Sequence, residues 1–259
     1  MLLQVRDLSK RFGGLDAVKD VSFDVPEGQV TAIIGPNGAG KSTLFNLLAG
    51  FYVPTAGTVT FNGKGITGMK PHQTVREGIA RTFQTTHLFD GSTVLDNVRA
   101  ACAVRSRSNA IDAVLRTPRH RRDEKESLEK SMRALEFVGV EHLRGEIATT
   151  LPQETQKRIS LAIALATEPS LLLLDEPAAG TTDEETEGFG ELIREVVAAG
   201  ITVCLVEHKM SMIMNLADQI VVLDHGQRIA IGTPDQIKND PLVIEAYLGA
   251  GANQAGAAS

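Results

Sequence analysis

The chain has 259 residues, of which 42% are apolar and 22% are charged, and its formal net charge is −6. This length and apolar content allow a large buried core, and the acidic balance argues against a protein whose whole surface binds DNA or RNA. The low aromatic content (nine Phe, two Tyr, no Trp) disfavours a stacking platform for single strands, and two Cys indicate a reducing, cytosolic compartment rather than a disulfide framework.

The first 62 residues predict a region rich in β-structure. Apolar and polar residues alternate from Val21 to Val25, which is typical of a half-buried strand, and residues 29–34 predict a short buried strand. The period becomes helical over residues 41–49, and residues 57–62 alternate again.

The middle of the chain, residues 85–150, predicts charged helices. Four Arg and one His fall between positions 116 and 122. This basic run is interpreted as a solvated turn beside the acidic residues 123–126, with a nucleic-acid or lipid contact as the alternative. A helical apolar stripe follows, formed by Leu128, Met132 and Leu135.

Apolar runs alternate with an amphipathic helix pattern from residue 171 onward. The runs 171–174, 201–206 and 219–223 predict buried strands, which indicates a parallel sheet with crossover helices. The pair His225-Gly226 predicts a hairpin turn between two β runs.

A glycine-rich loop lies between the second predicted strand and the helix that follows it. Residues 35–42 read Gly-Pro-Asn-Gly-Ala-Gly-Lys-Ser and fit the pattern G-x-x-x-x-G-K-[ST] in its proper context, after a strand and before a helix. Such glycines let backbone N–H groups close on phosphate oxygens at a helix N-terminus. Lys41 is expected to reach the β- and γ-phosphates, and the Ser42 hydroxyl is expected to bind Mg²⁺. The expected phosphate-binding residues are Gly35, Pro36, Asn37, Gly38, Ala39, Gly40, Lys41, Ser42 and Thr43.

Carboxylates that could serve this phosphate loop follow the apolar run 171–174. Asp175 ends the run at the sheet edge where ligands bind in open α/β sheets, and is expected to hold Mg²⁺. Glu176 is expected to polarise the attacking water as general base. Without the phosphate loop, the same Asp-Glu pair would be interpreted as a strand-ending turn.

A histidine, His208, follows the next apolar strand. A lone histidine at a strand end is usually structural or solvated. Here the location predicts a position near the γ-phosphate, as a donor or sensor.

With these residues in place, the chain resembles the ATP-binding subunits of ABC transporters over essentially its full length, and most of all those of branched-chain amino-acid importers. The resemblance implies an α/β fold: a P-loop NTPase core with a parallel sheet, an N-terminal antiparallel β part and an inserted α-helical subdomain. It also implies ATP and Mg²⁺ as ligands and ATP hydrolysis as the activity. Beyond the motifs above, it rests on Leu8-Ser-Lys-Arg-Phe-Gly-Gly, Arg81-Thr-Phe-Gln84, Leu88-Phe-Asp, Val94-Leu-Asp-Asn-Val, Leu171–Gly180, Val206-Glu-His208-Lys-Met, Ile229-Ala-Ile-Gly-Thr-Pro and Ala246-Tyr-Leu-Gly.

The resemblance implies further roles for single residues. Phe12 falls at the aromatic position that stacks on adenine; the alternative is a core residue of a strand. Gln84 matches the glutamine that contacts Mg²⁺ and relays the state of the γ-phosphate to the transmembrane partner. In this family two subunits enclose two ATP molecules, each bound by the phosphate loop of one subunit and the signature helix of the other.

The resemblance also implies a domain organisation. Residues 1–248 are expected to form one ATPase domain, with 1–84 and 161–248 as the catalytic core and β part. Residues 85–160 are expected to be the α-helical subdomain against which permeases dock. The Gly/Ala-rich tail, residues 249–259, is expected to be disordered.

Two segments depart from the family pattern. Where the family has Leu-Ser-x-Gly-x-Gln, residues 151–156 read Leu-Pro-Gln-Glu-Thr-Gln, so Pro152 replaces a Ser that donates to γ-phosphate and Glu154 replaces a Gly that allows close backbone approach. Pro and Glu suit a helix start, so the helix is expected to form but to lack its anion site. Thr182 stands where the family loop after the Asp-Glu pair ends in Asp or Asn.

The expected function is that of the ATP-binding and hydrolysing subunit of an importer for branched-chain or related amino acids or small amides. The expected partners are transmembrane permeases, a solute-binding protein and a second ABC ATPase, with a heterodimer favoured over a homodimer and no nucleic acid. Since no apolar stretch is long enough to span a membrane, the chain is expected to be cytoplasmic and held on the inner face of the cell membrane by its permeases. The alternatives are a non-hydrolysing or regulatory nucleotide-binding subunit and a non-transport ABC ATPase.

Overall fold

A computed structural model describes residues 1–82, 88–105, 112 and 117–247. Their internal contacts divide the chain into two units, one made of residues 1–74 and 170 onward and one made of residues 75–169. The first unit therefore combines both ends of the chain, and the second unit is continuous in sequence. Among the described residues, no helix has both the length and the apolar content that a membrane span requires.

Strands dominate the first unit and helices dominate the second. The strands are β1 (Leu3–Phe12), β2 (Leu15–Val25), β3 (Val30–Ile34), β4 (Ala56–Phe61), β5 (Lys64–Gly65), β6 (Ile79–Arg81), β7 (Leu171–Asp175), β8 (Thr202–Val206), β9 (Gln219–Asp224) and β10 (Gln227–Gly232). The helices are α1 (Lys41–Leu48), α2 (Pro71–Glu77), α3 (Val94–Cys102), α4 (Pro118–Phe137), α5 (Gln153–Leu165), α6 (Asp183–Ala198), α7 (Met210–Leu216) and α8 (Pro234–Lys238), and residues 241–247 are also helical.

A largely parallel sheet forms the centre of the first unit, where its strands follow the order β10-β9-β3-β8-β7. All residues of β3, β7 and β8 are buried, which explains their unbroken apolar sequences. The parallel register pairs Ile33 with Val206 and Val206 with Asp175. The C-terminal ends of these three strands therefore lie at one edge of the sheet, and the loops that follow them emerge there together.

An antiparallel sheet in the same unit has the order β2-β1-β4-β5. In β2 the residues Val21, Phe23 and Val25 are buried and alternate with more exposed ones, as their sequence pattern predicts. The turn between β9 and β10 has positive φ at His225 (45°) and Gly226 (78°), which confirms the predicted hairpin. The predicted α/β fold with a parallel sheet and an N-terminal antiparallel part is thus confirmed.

The second unit packs α3, α4 and α5 against one another. Its core includes fully buried Val98, Leu135 and Ile159. The predicted apolar stripe on α4 is only partly correct, since Leu128 is 41% exposed. Its neighbour Lys130 instead joins α4 to the chain beyond α5 through an ion pair of 2.9 Å with Glu168.

The interpretation of the basic run at 116–122 as a solvated turn is wrong for the part that the structure describes. Residues from Pro118 onward form the first turns of α4, because the Thr117 hydroxyl accepts a hydrogen bond from the backbone N–H of His120 and Pro118 occupies the first helical position. Arg116 lies outside the described residues, as do the C-terminal tail from 248 and Gln84.

Candidate active site

Three loops meet at the sheet edge where β3, β7 and β8 end. The loop after β3 carries the glycine-rich sequence, β7 delivers Asp175 and Glu176, and β8 leads to His208. Because the register aligns the last residues of these strands, the predicted site residues of all three segments come to one place.

The path of the phosphate loop depends on two glycines. Gly35 has φ 151°, and a Cβ there would lie 2.1 Å from the carbonyl oxygen of Leu223. Gly40 has φ 98°, and its Cβ would lie 2.4 Å from the carbonyl oxygen of Ala17. The loop thus runs against the backbone of β9 at one end and of β2 at the other, and only glycine fits at either contact.

Helix α1 begins at the end of this loop with its N-terminus uncapped by any side chain. Gly40 is the N-cap residue, and the first turn contains no acidic residue. The first backbone N–H groups and the positive end of the helix dipole therefore favour an anion at this position.

Lys41, the first residue of α1, is a buried cation. Its ammonium donates hydrogen bonds to the carbonyl oxygens of Gly35 at 2.7 Å and of Pro36 at 2.9 Å. Burial lowers the pKa of Lys41, and the carboxylates of Glu176 and Asp175 partly oppose this effect. The ammonium is thus electrostatically linked to both carboxylates, and two of its three N–H groups hold the loop in shape.

Glu176 and His208 form the second half of the site. The Oε1 atom of Glu176 lies 3.1 Å from Nε2 of His208, and the backbone N–H of Glu176 donates to the carbonyl oxygen of Val206 at 2.9 Å. Glu176 has φ 49°, a left-handed conformation that is costly for a residue with a side chain and that is found preferentially at functional sites. The carboxylate is largely shielded, with 17% exposure, while the His208 side chain is 46% exposed.

The residues predicted to hold Mg²⁺ have suitable chemistry where the structure describes them. Ser42 is exposed in the first turn of α1, and Asp175 is 7% exposed at the end of β7. Hydroxyl and carboxylate oxygens are the hard donors that Mg²⁺ prefers, and Mg²⁺ at phosphate sites uses few protein ligands. Within the described residues, no cluster of three or more His, Cys, Asp or Glu is placed to hold a metal ion.

Phe12 ends β1 with 43% of its surface exposed, so it is not a core residue of the strand. Its ring and the Tyr52 ring form a T-shaped pair, with 5.2 Å between centroids and an interplanar angle of 76°. The Lys10 ammonium lies 5.0 Å from the centroid of Phe12. The ring is therefore held in place by neighbours while keeping exposed area for a planar ligand.

The loop that follows Glu176 uses Thr182 to start α6. The Thr182 hydroxyl accepts from the backbone N–H of Glu185, and the Glu185 carboxylate accepts from the backbone N–H of Thr182. This capping box occupies the hydroxyl where the family pattern has Asp or Asn, both of which are also good N-cap residues.

The altered signature segment begins α5 as predicted, with Pro152 as N-cap and no side-chain cap. Glu154 forms an ion pair with Arg158 one turn later, and Arg158 also donates to the carbonyl oxygen of Val138 at 3.2 Å. The Glu154 charge is therefore partly neutralised by Arg158, and α5 starts without the hydroxyl that the family pattern supplies.

Two residues near the site escaped the sequence reasoning. Lys209 follows His208 and hydrogen-bonds to Thr181 in the loop before α6 and to Thr186 in that helix. Burial raises the pKa of Tyr247, and a hydrogen bond with the backbone of Gly35 opposes that rise. Each lies in a motif that carries the resemblance, Tyr247 in Ala246-Tyr-Leu-Gly and Lys209 in Val206-Glu-His208-Lys-Met, but neither motif indicates what the side chain contacts.

Comparison with known proteins gives extensive matches. A family model described as ABC transporter matches residues 18–179, and one described as branched-chain amino acid ATP-binding cassette transporter matches residues 227–253. The high-affinity branched-chain amino acid transport ATP-binding protein BraF of Pseudomonas aeruginosa is 42% identical over 249 residues, covering 96% of this chain and 98% of that protein. The corresponding protein LivG of Escherichia coli K12 is 40% identical with the same coverage.

A solved structure gives the same result. The ADP conformation of MJ1267, an ATP-binding cassette of an ABC transporter, matches with a TM-score of 0.82 and 33% identity, covering 96% of this chain and 98% of that chain. Similarity of this extent, over nearly the whole of both chains, shows that the chain belongs to the ABC transporter family of ATP-binding proteins.

Proposed function

We propose that this chain is the ATP-hydrolysing subunit of a transporter that imports branched-chain or related amino acids or small amides. The observation that carries the ATPase part is the convergence at one sheet edge: the Lys41 ammonium is electrostatically linked to Asp175 and Glu176, and Glu176 contacts His208 at 3.1 Å. A cation for the phosphates, a carboxylate for Mg²⁺ and a residue that acts as base or orients the water recur in enzymes that transfer phosphoryl groups, and His208 adds a donor beside them.

In this proposal the phosphate loop and the start of α1 bind the β- and γ-phosphates through backbone N–H groups, and Phe12 stacks on adenine. Lys41 uses its remaining N–H on the phosphates while its other two hold the loop. Ser42, Asp175 and Gln84 would hold Mg²⁺, which supplies positive charge against the phosphate oxygens when it is bound.

Glu176 acts as the general base that takes a proton from the attacking water. Its left-handed backbone and the hydrogen bond of its N–H to Val206 fix where the carboxylate points. His208 contacts this carboxylate and is exposed enough to donate to a phosphate oxygen as well. The pair thus orients the water and stabilises charge that develops on the transferred group.

The names of the relatives support the substrate class. BraF and LivG are named as branched-chain amino acid transport proteins, and the family model for residues 227–253 carries the same description. We infer that permeases move the solute, that a solute-binding protein delivers it, and that the permeases hold this chain at the cytoplasmic face of the membrane.

We further infer that the chain pairs with a second ATPase subunit whose signature is intact. In a homodimer, both composite sites would use Pro152 and Glu154, and neither would receive the Ser hydroxyl. In a heterodimer, the phosphate loop of this chain would receive the partner's signature and form a competent site. The partner's phosphate loop would face the altered signature and form a slower site.

Calorimetry with Mg·ATP on the full chain tests the nucleotide site. Lys41→Ala should weaken binding about 10-fold or more, because a charge-assisted hydrogen bond contributes about 1.5–3 kcal/mol. Glu176→Gln should bind ATP within about 2-fold of the wild type, while turnover in the complex purified through this chain should fall by about 100-fold or more.

Each part of the proposed function has its own contrary outcome. Equal ATP affinity in Lys41→Ala would overturn the assignment of the phosphate loop. Undiminished turnover in Glu176→Gln would overturn the general-base role. ATP binding without turnover in the wild-type complex would favour the regulatory alternative, and co-purification with ribosomes or nucleic acid instead of permeases would favour a non-transport ATPase.

A further inference from the structure

We propose that Lys209 is a positioning residue for ATP hydrolysis: it ties the backbone next to His208 to the turn before α6 and so holds the His208 ring against Glu176. The inference rests on the proposed ATPase function and deepens it. It concerns a residue that directly follows His208 in sequence and to which the sequence alone assigns no role.

The Lys209 ammonium has three oxygen partners. It donates to the carbonyl oxygen of Thr181 at 2.8 Å and to the hydroxyl of Thr186 at 2.7 Å, and it lies 3.6 Å from the carboxylate of Asp183. An ammonium has three donors, of which two make hydrogen bonds here, while the Asp183 carboxylate lies at ion-pair distance. The Lys209 side chain is 29% exposed, unlike a freely solvated lysine.

The segment that receives Lys209 is itself firmly held. The Thr181 hydroxyl donates to the carbonyl oxygen of Ala178 at 2.8 Å and lies 3.0 Å from the Thr186 hydroxyl, which bonds to the Thr182 carbonyl at 2.7 Å. The capping box of α6 adds two more bonds at Thr182 and Glu185. Lys209 is thus anchored to a structured turn rather than to a loose loop.

These contacts close a ring that contains the catalytic pair. The turn starts at Glu176, whose carbonyl oxygen accepts from the backbone N–H of Ala179 at 3.1 Å. The Lys209 side chain connects that turn to the backbone next to His208, and Nε2 of His208 lies 3.1 Å from Oε1 of Glu176. His208 lies in the short link between β8, which ends at Val206, and α7, which begins at Met210, and the contacts of the Lys209 side chain fix this link to the turn after Glu176.

Loss of the Lys209 contacts should therefore misplace His208 without touching the phosphate loop. A displacement of about 1 Å at a reacting group can reduce the rate about 100-fold, whereas ground-state contacts to phosphate are unaffected. The expected signature is a fall in turnover at unchanged ATP affinity.

The test uses the complex purified through this chain and compares its variants with the wild type at saturating Mg·ATP. Lys209→Met removes the ammonium but keeps the length of the side chain, and should lower single-turnover hydrolysis by about 10- to 100-fold with ATP affinity within about 2-fold. Lys209→Arg keeps the charge and should recover part of the rate. Lys238→Met, which changes an exposed lysine at the end of α8, is the matched control and should hydrolyse like the wild type.

The decisive arm introduces Lys209→Met into a His208→Gln background. If Lys209 acts through His208, adding Lys209→Met to His208→Gln should alter the rate less than about 2-fold, because the imidazole that Lys209 positions is already absent. An equal loss in both backgrounds would show that Lys209 only stabilises the fold. An unchanged rate in the single variant would overturn the proposal.

Failure of this inference is separable from failure of the proposed function. If Lys41→Ala and Glu176→Gln behave as expected but Lys209→Met does not, only the positioning role of Lys209 is wrong. If the wild-type complex shows no ATP binding or turnover at this site, the proposed function itself is wrong.

Discussion

Lys41 illustrates the conflict between stability and function at a single residue. The ammonium is buried in the phosphate loop, where desolvation lowers its pKa below the ordinary value of 10.5, and the nearby carboxylates of Asp175 and Glu176 only partly offset that effect. The folded chain therefore holds this proton less tightly than the unfolded chain does. Phosphates that bind beside the ammonium would favour its charged form and so raise the pKa of Lys41 again.

The pH dependence of stability should reveal the lowered pKa of Lys41. Between the folded pKa and 10.5 the unfolded state binds more protons, so the contribution of Lys41 to the free energy of unfolding should rise with pH in that window. Urea denaturation at pH 7.5 and pH 10 should show the wild type gaining stability relative to Lys41→Met at the higher pH.

The matched control for this measurement is Lys238→Met, which removes the same charge from an exposed helix end. Its stability difference from the wild type should change little between the two pH values. The ammonium is not desolvated in the loop if the stability difference between the wild type and Lys41→Met is the same at both pH values, or if the wild type loses relative stability at the higher pH.

At the scale of elements, the start of α6 shows how a family departure can be accommodated. Thr182 forms a complete capping box with Glu185, and three acidic residues in the first turn, Asp183, Glu184 and Glu185, suit the positive end of the helix. The turn that anchors Lys209 is thus ordered by the same residues that begin the helix.

Thr182→Ala should lower the free energy of unfolding by about 1 kcal/mol, because the backbone N–H of Glu185 loses its partner. Thr182→Asp should preserve the cap and stay within about 0.5 kcal/mol of the wild type. Urea denaturation with Thr233→Ala, which breaks the capping box of α8, provides a matched comparison. If Thr233→Ala lowers the free energy of unfolding and Thr182→Ala does not, the Thr182 hydroxyl contributes nothing to the cap.

The elements and the catalytic residues could be predicted from sequence where the signal is local. Buried strands such as β7 have unbroken apolar runs, and the phosphate loop has a fixed spacing of glycines that its close backbone contacts require. The contacts of Lys209 and Tyr247 could not be predicted, because the partners of each lie more than 20 residues away in sequence. The basic run does not distinguish a turn from a helix start, because both favour residues such as Thr117 and Pro118.

At the scale of the whole molecule, the altered signature predicts two unequal sites in the assembled transporter. Restoring the family residues with Pro152→Ser and Glu154→Gly should accelerate the partner's site by about 10- to 150-fold, since a charge-assisted contact to phosphate contributes about 1.5–3 kcal/mol. The phosphate loop of this chain should hydrolyse ATP at nearly its original rate.

Single-turnover assays with one phosphate loop disabled at a time separate the two sites. Because Glu154 is paired with Arg158, Glu154→Gln serves as a control that removes the charge but leaves a side chain in the place of glycine. If the restored signature accelerates neither site, the asymmetric arrangement is wrong. The same holds if this chain alone hydrolyses ATP as fast as the complex does.

The division of the first unit between both ends of the chain has a consequence for biosynthesis. Its central strand β3 emerges from the ribosome early, but its neighbours β8 and β9 follow only about 170 and about 190 residues later, and pairing over such separations is slow. The continuous segment 75–169 has its partners nearby and is complete much sooner. Nascent chains should therefore carry a formed helical segment while the apolar strand β3 stays unpaired, which makes early protection by chaperones valuable for this protein.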